Sequence, residues 1–374
     1  MAGMTIKDIA KKCGVGVSTV SRAMNDHPDI NQETKDKILR VIAESNYIPN
    51  NSARNLKRSE AKAIAVLVKG LGNTFFGELV SVLERECEKK GYSCILQHVE
   101  EQDDELDVAL YVSKEKKPRG MIFLGGNFSH PKEKIEQLGI PCVLSTICTY
   151  GDQEQSYGTV SVDDFQESRK MTEYLLGLGH ERIALLTAPR EDESIGKLRL
   201  MGYQKALSER GIPFREELVA YMEASEDRYS FATGYRLAKK LLDKGESFTA
   251  LYATSDTLAI GACRALKEAG LEIPGDCSVA GFDGMDMGAY YIPSITTIRQ
   301  PVEQIAKASA GLLFNMIKGK EKPGKLIYEG QLLIRESTAK ERTCNPLYRN
   351  ADLGTAGKFS GGKYHGRKIT DTVK

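Results

Sequence analysis

The chain has 374 residues, with 52 Lys and Arg against 51 Asp and Glu, so the net charge is only +1. The charge is unevenly spread: residues 1–59 hold ten basic against six acidic side chains and residues 341–374 hold seven against three, leaving the body acidic. No apolar run approaches the roughly 20 residues of a membrane span, the start lacks a secretory pattern, and eight cysteines without a Cys-x-x-Cys pair speak against metal binding or a disulfide framework.

These properties imply a cytosolic protein of two or three domains, without membrane, metal or cofactor, whose basic end meets a polyanion. Residues 5–24 read as two short helices around a glycine turn. Thr5 can cap the first helix, with Asp8 reaching back from its first turn. Ala10 is small where the helices cross, and Gly14 supplies the positive φ of the turn. Val20 is apolar where the second helix must bury itself against Ile6 and Ile9. This is the helix-turn-helix that sets side chains against base edges, although an ordinary helical hairpin has the same spacing. Asn31 caps a third helix whose apolar stripe is Ile38, Val41 and Ile42. In Tyr47-Ile48-Pro49-Asn50, Pro49 pushes Ile48 out of helix and Asn50 offers a new cap. The short helix that follows is either a plain linker or a segment that folds on binding.

From residue 61 the pattern becomes an alternation of strand and helix. Ala63–Val68 is a continuous apolar run of the kind a buried parallel strand needs. Strands are predicted at Ser93–Gln97, Gly120–Leu124, Cys142–Ser145, Thr159–Val162, Arg182–Leu186, Leu218–Tyr221, Ala250–Ala253 and Ser278–Phe282. Amphipathic helices fill most gaps, as at Glu78–Lys90 and Leu258–Ala269. This alternation predicts an α/β body of two doubly wound parallel-sheet subdomains with a cleft between them. The expected organisation is a headpiece over 1–48, a hinge over 49–60 and a body over 61–340. The body subdomains are expected at 61–161 plus 292–324, and at 162–291 plus 325–340. The glycine-rich stretch 341–374 has few apolar residues, which predicts a disordered tail. Its lysine Lys363 has P-loop spacing from Gly357, but Tyr364 stands where Ser or Thr should hold magnesium. No nucleophile elbow or zinc-protease motif occurs, and His180 reads as helix-to-strand punctuation.

Thr19-Val20-Ser21-Arg22, Asn46-Tyr47-Ile48-Pro49-Asn50, Gly179-His180, Arg199-x-x-Gly202, Asp256-x-x-Ala259-x-Gly261, Gly281-Phe282-Asp283 and Arg335-Glu336-Ser337-Thr338 stand in register. In this combination the chain resembles the lactose/purine repressor (LacI/GalR) family of bacterial transcription regulators, from residue 4 to about 340. The resemblance implies a three-helix headpiece on a body like the type I periplasmic binding proteins. It implies a homodimer on operator DNA, controlled by a small-molecule effector, most simply a sugar. A regulator held by a phosphorylated protein co-repressor and a stand-alone solute-binding module are the alternatives.

By that resemblance Val17, Ser18 and Arg22 read bases, and Arg22 suits the O6 and N7 of guanine. Thr19, Ser21 and Asn25 suit phosphates, and Thr5 and Asn50 join the DNA-contacting set. Leu56 occupies the place of a minor-groove lever with Ala53 facing it, or it packs on the body. Asp283, Asp256, Arg199 and Asp163 or Asp164 are the polar effector candidates, with Phe75, Phe76 and Tyr229 for stacking. Some of these aspartates could instead serve only as helix caps. Gly16, Thr74, Ser255 and Gly284 depart from the family pattern, the last three near the expected pocket. Glu193 and Ile195 are not a purine-binding pair.

Overall fold

The computed structural model describes residues 5–24, 27, 29–45, 62–70, 74–126, 130–147, 156–223 and 228–341. The chain divides into two compact units, one ending at Ala61 and the other beginning at Lys62.

In the first unit, helices α1 (Ile6–Cys13), α2 (Val17–Met24) and α3 (Gln32–Glu44) enclose a small core of Ile9, Ala10, Cys13, Val20, Ala23 and Ile38. Both expected N-caps form. Thr5 and Asp8 make a reciprocal capping box, and the Asn31 side chain accepts from the Glu33 N–H at 2.8 Å. Gly14 takes φ 66°, and the Val15 N–H behind it returns to the Ala10 carbonyl at 3.0 Å, closing the turn.

The second unit holds two six-stranded sheets. The first sheet uses β1 (Ala63–Lys69), β2 (Ser93–Val99), β3 (Gly120–Leu124), β4 (Cys142–Ser145) and β5 (Gly158–Val162). Between them run helices α4 (Phe75–Lys89), α5 (Glu105–Lys116) and α6 (Lys132–Glu136). The second sheet uses β6 (Ile183–Thr187), β7 (Val219–Tyr221), β8 (Ala250–Ala253) and β9 (Ser278–Asp283). Its helices are α7 (Asp164–Gly177), α8 (Ile195–Glu209), α9 (Phe231–Asp243), α10 (Asp256–Glu268) and the short α11 (Asp286–Tyr290). Then β10 (Thr296–Arg299), α12 (Val302–Ile317), β11 (Lys325–Tyr328) and β12 (Gln331–Leu333) complete both sheets.

The strand orders are β11-β5-β4-β3-β1-β2 and β12-β10-β9-β8-β6-β7, parallel throughout except for the β10–β12 pair. Central strands are buried along their whole length, as at β3 and β6, because helices cover both faces. Every predicted strand forms, within two residues at either end.

Two expected boundaries move. Residues 296–299 pair with β9 in the second sheet, whereas 325–328 pair with β5 in the first. The chain therefore crosses between lobes after β5, after β10 and after β11. The reason lies in α12, whose Ile305, Ala306, Leu312 and Leu313 pack into the first lobe's core. Its exit has to deliver the next strand to that same sheet.

Glycines in the family motifs mark close approaches. A Cβ on Gly202 would lie 2.2 Å from the Phe165 carbonyl, and one on Gly261 would lie 2.1 Å from that of Phe231. Those glycines let α8 press on α7 and α10 press on α9. His180 is buried and pins the second lobe's far end: its ring nitrogens meet Thr249 Oγ1 at 3.0 Å and the Ala339 carbonyl at 2.9 Å. Burial lowers its pKa below the ordinary histidine value. Five of the six described cysteines are buried and Cys94 is half-buried, as fillers of an apolar interior. Among the described residues, none of the helices is long and apolar enough to cross a membrane.

Candidate functional site

In the headpiece, α2 turns Val20 and Ala23 inward and leaves Val17, Ser18 and Arg22 exposed, with Thr19 and Ser21 half-covered. The i, i+3 spacing of its buried residues produces this division. Gly16 accepts the first helical bonds, from Thr19 and Val20, at 3.0 and 3.2 Å. The Arg22 guanidinium sits 3.2 Å from Asp29, an exposed pair whose net worth is small, so Arg22 is readily released toward another acceptor. Thr5 is engaged in its capping box, with its hydroxyl donating to Asp8 at 2.7 Å. Asn25, Asn50, Ala53 and Leu56 lie outside the described residues.

In the body, Arg199, Asp164, Asp256 and Asp283 are brought together, each fully or almost fully buried. Arg199 stands on the inner face of α8, and its Nε donates to Asp164 Oδ1 at 2.9 Å. Its Nη1 donates to the Thr254 carbonyl at 2.5 Å, and Nη2 is 3.6 Å from Asp283 Oδ1. The guanidinium also lies 3.6 Å above the Phe282 ring. Asp283 accepts from Gln300 at 2.9 Å, and Asp256 accepts from the Met285 N–H at 2.6 Å.

Two carboxyls, Asp164 and Asp283, thus share the Arg199 guanidinium in the interior, and Asp256 lies next to Asp283. Burial pushes the Asp164 carboxyl up to about 6 despite the opposing pull of Arg199. Burial and the neighbouring Asp283 push Asp256 up to about 8, so it keeps its proton at neutral pH. Burial opposes the charge on Arg199, but Asp164 and Asp283 outweigh it and raise its pKa.

The cavity lies beside this cluster, between the lobes, with a volume of about 300 Å³. Its first-lobe wall includes Lys69, Phe76 and Glu101, and its second-lobe wall includes Asp192, Arg228 and Tyr229. These positions lie at or after the carboxyl ends of β1, β2, β6 and β7, where open α/β sheets collect their ligands. Arg228 reaches across the gap, 3.4 Å from Asp192 in its own lobe and 3.5 Å from Glu101 in the other. Lys69 is tied to Glu105 at 3.1 Å and to the Asp103 carbonyl at 2.7 Å.

Tyr229 takes φ 58° and Asp283 takes φ 110°, backbone states that side chains of this kind rarely occupy. Such strain costs of order 1–3 kcal/mol per residue and collects at functional sites. The Tyr229 hydroxyl is shielded from solvent and has no hydrogen-bond partner among the described residues. Burial and the nearby Asp192 hold its pKa above the ordinary phenol value, so it stays a donor.

Of the eight expected effector residues, Phe76 and Tyr229 line this cavity. Phe75 and Asp283 border a more open cavity of about 590 Å³. Asp163 is a helix cap, accepting from the Gln166 N–H at 3.1 Å, while its neighbour Asp164 carries the Arg199 pair. Asp256 is not the cap of α10, because Ser255 takes that position and accepts from Leu258. Sequence reasoning did not select Lys69, Glu101, Asp192 or Arg228. For Lys69 and Glu101 the available signal was a charged residue at or just beyond a strand's carboxyl end.

A helix-turn-helix headpiece joined to a two-lobed body with a ligand-sized cleft defines a DNA-binding regulator on a periplasmic-binding-protein scaffold. Residues 5–50 match the family model for bacterial regulatory proteins, lacI family, and residues 172–338 match the periplasmic binding protein-like domain. The chain is 40% identical over 349 residues to the HTH-type transcriptional regulator MalR of Clostridium butyricum, spanning 89% of this chain and 99% of that one. It is 30% identical to the ribose operon repressor of Haemophilus influenzae, spanning 89% and 98%. The solved lac repressor dimer bound to operator and the anti-inducer ONPF superposes with TM-score 0.70 at 26% identity, over 90% and 100% of the two chains. A complex of the transcriptional regulator CelR with cellobiose superposes with TM-score 0.66 at 26% identity, over 89% and 99%. The chain therefore belongs to the lacI family of bacterial regulatory proteins and is a transcription regulator.

Proposed function

We propose that this chain is a cytoplasmic, homodimeric repressor whose grip on a pseudo-palindromic operator is set by a sugar held in the interlobe cleft. The observation that carries the reading is the cavity itself, walled by both lobes and spanned by the Arg228–Glu101 pair. A ligand seated there contacts both lobes, so it changes the free energy of one lobe arrangement relative to another. That difference is what the DNA-binding end must sense, and linkage makes the effect reciprocal: operator shifts sugar affinity by the same factor. Relatives solved with cellobiose and with ribose support a sugar as the ligand class.

On the DNA side, the exposed Val17, Ser18 and Arg22 are the base readers. Thr5, Thr19, Ser21 and Asn25 supply backbone contacts, and residues 49–60 form the hinge that carries Asn50, Ala53 and Leu56 to the operator centre. In the body, Asp164, Arg199, Asp256 and Asp283 form the polar floor behind the ligand, Phe76 and Tyr229 are its aromatic walls, and Phe75 and Asp163 stand outside the lining.

The test is selection of bound DNA from a random pool, followed by anisotropy on the selected duplex with maltose, cellobiose and ribose. The expected outcome is a palindromic site whose affinity at least one sugar shifts by about 5-fold to 150-fold. Arg22→Ala should relax base preference at one position of each half-site, costing about 1–3 kcal/mol there. DNA binding that none of the sugars alters would favour a protein co-repressor as the effector.

A further inference from the structure

The charges on the cavity wall carry information about the ligand beyond its general class. Among the described lining residues, four carboxylates (Glu101, Glu191, Asp192 and Glu193) face two cations, Lys69 and Arg228. Both cations are already committed. Lys69 is held by the buried Glu105 at 3.1 Å, and Arg228 lies between Glu101 and Asp192 at 3.5 and 3.4 Å. Glu193 is balanced from outside the cavity by Lys197, at 2.7 Å. Glu191 is exposed, so the wall carries a surplus of negative charge.

A helix amino terminus could still have offered an anion seat, since α8 begins at the wall. That seat is taken, however. Asp192 Oδ2 accepts from the Ser194 N–H at 3.1 Å and from its hydroxyl at 2.5 Å. A Cβ on Gly196 would lie 2.9 Å from that same oxygen, which places the carboxylate against the first turn. Two polar atoms of the lining make no hydrogen bond among the described residues: the neutral Tyr229 hydroxyl, and Arg228 Nε, whose charge is still faced by Glu101 at 3.5 Å. One aromatic ring from each lobe, Phe76 and Tyr229, completes the lining.

Resting on the sugar-effector reading above, we infer that this cleft is built for an uncharged polyhydroxylated ligand and rejects phosphorylated sugars. Glu101 and Asp192 accept from sugar hydroxyls, Arg228 and the Tyr229 hydroxyl donate to them, the aromatic rings cover apolar C–H faces, and the exposed Glu191 adds charge at the rim without touching the sugar. A phosphate dianion would meet surplus like charge in a partly enclosed site. It would also have to pull Arg228 from two carboxylates, leaving them without their counter-charge.

Calorimetry on the full-length protein tests this. Maltose, cellobiose and ribose form the neutral arm; glucose 6-phosphate, ribose 5-phosphate and inorganic phosphate form the anionic arm. The expected result is heat from at least one neutral sugar, with every phosphorylated compound about tenfold weaker or more. Glu191→Gln, which removes a wall charge bonded to no other described residue, should narrow that gap several-fold while neutral-sugar affinity stays in place. A phosphate ester that binds as tightly as the neutral sugars overturns the inference, as does an unchanged gap in Glu191→Gln. Heat from neither arm, in protein that still binds its selected DNA, overturns instead the sugar-effector reading beneath it.

Discussion

Replacing Asp256 by asparagine should remove a pH-dependent weakness from the body. Asp256 is fully buried, and burial together with Asp283 pushes its carboxyl up to about 8 from the ordinary aspartate value of 3.8. Between those two values the folded protein keeps a proton that the unfolded chain gives up. Stability therefore falls as pH rises through the window, by at most about 1.4 kcal/mol per pH unit, and levels off above about 8. From pH 6 to pH 9 this site alone costs about 2–3 kcal/mol. Asp164 acts in the same direction but, pushed up only to about 6, completes most of its change near the start of that range. Asparagine cannot ionise, and its carbonyl can still accept from the Met285 N–H that Asp256 now engages at 2.6 Å. The assay is urea unfolding at several pH values, followed by circular dichroism because the chain has no tryptophan. Wild type should lose about 2–3 kcal/mol more than Asp256→Asn between pH 6 and pH 9. Parallel pH profiles for the two proteins would refute the argument that the buried carboxyl is protonated at neutrality.

Gly261→Ala should destabilise the body by about 1–3 kcal/mol, read as a lower urea midpoint, because the new methyl meets the Phe231 carbonyl and the Tyr235 N–H. Thr5→Ala should cost the headpiece about 1 kcal/mol, seen as faster amide exchange in α1 and unchanged exchange in the body. Arg199→Met should cost more than either, because it strands Asp164 and Asp283 without a counter-charge; about 3–5 kcal/mol is expected from equilibrium unfolding at neutral pH.

The architecture was legible in the sequence because its signals are local. Ala63–Val68 and Gly120–Leu124 are unbroken apolar runs, and Thr5, Gly14 and Asn31 set element ends by their own chemistry. The sheet assignments of 296–299 and 325–328 were not legible in the same way. Which sheet a short strand joins depends on where α12 docks, a contact between segments more than 150 residues apart.

The site divides similarly. Phe76 and Tyr229, chosen by type and place, line the cavity, and Asp164, Arg199, Asp256 and Asp283 lie buried beside one another. Burial turns that group into a charge cluster beside the cavity, and degree of burial is not written in residue type. Arg228 and Glu101 went unselected because neither belongs to a motif; their meaning arises only when the two lobes face each other across the gap.

The interleaved crossings have a consequence for how the molecule is made. The strands that finish the two sheets, β11 and β12, lie beyond residue 324; β11 joins β5, formed far earlier in the chain, and β12 joins β10, formed shortly before it. Neither lobe can close its outer edge until almost all of the polypeptide has left the ribosome. An early stop anywhere before that point leaves two open β edges at once, each a template for pairing with another chain.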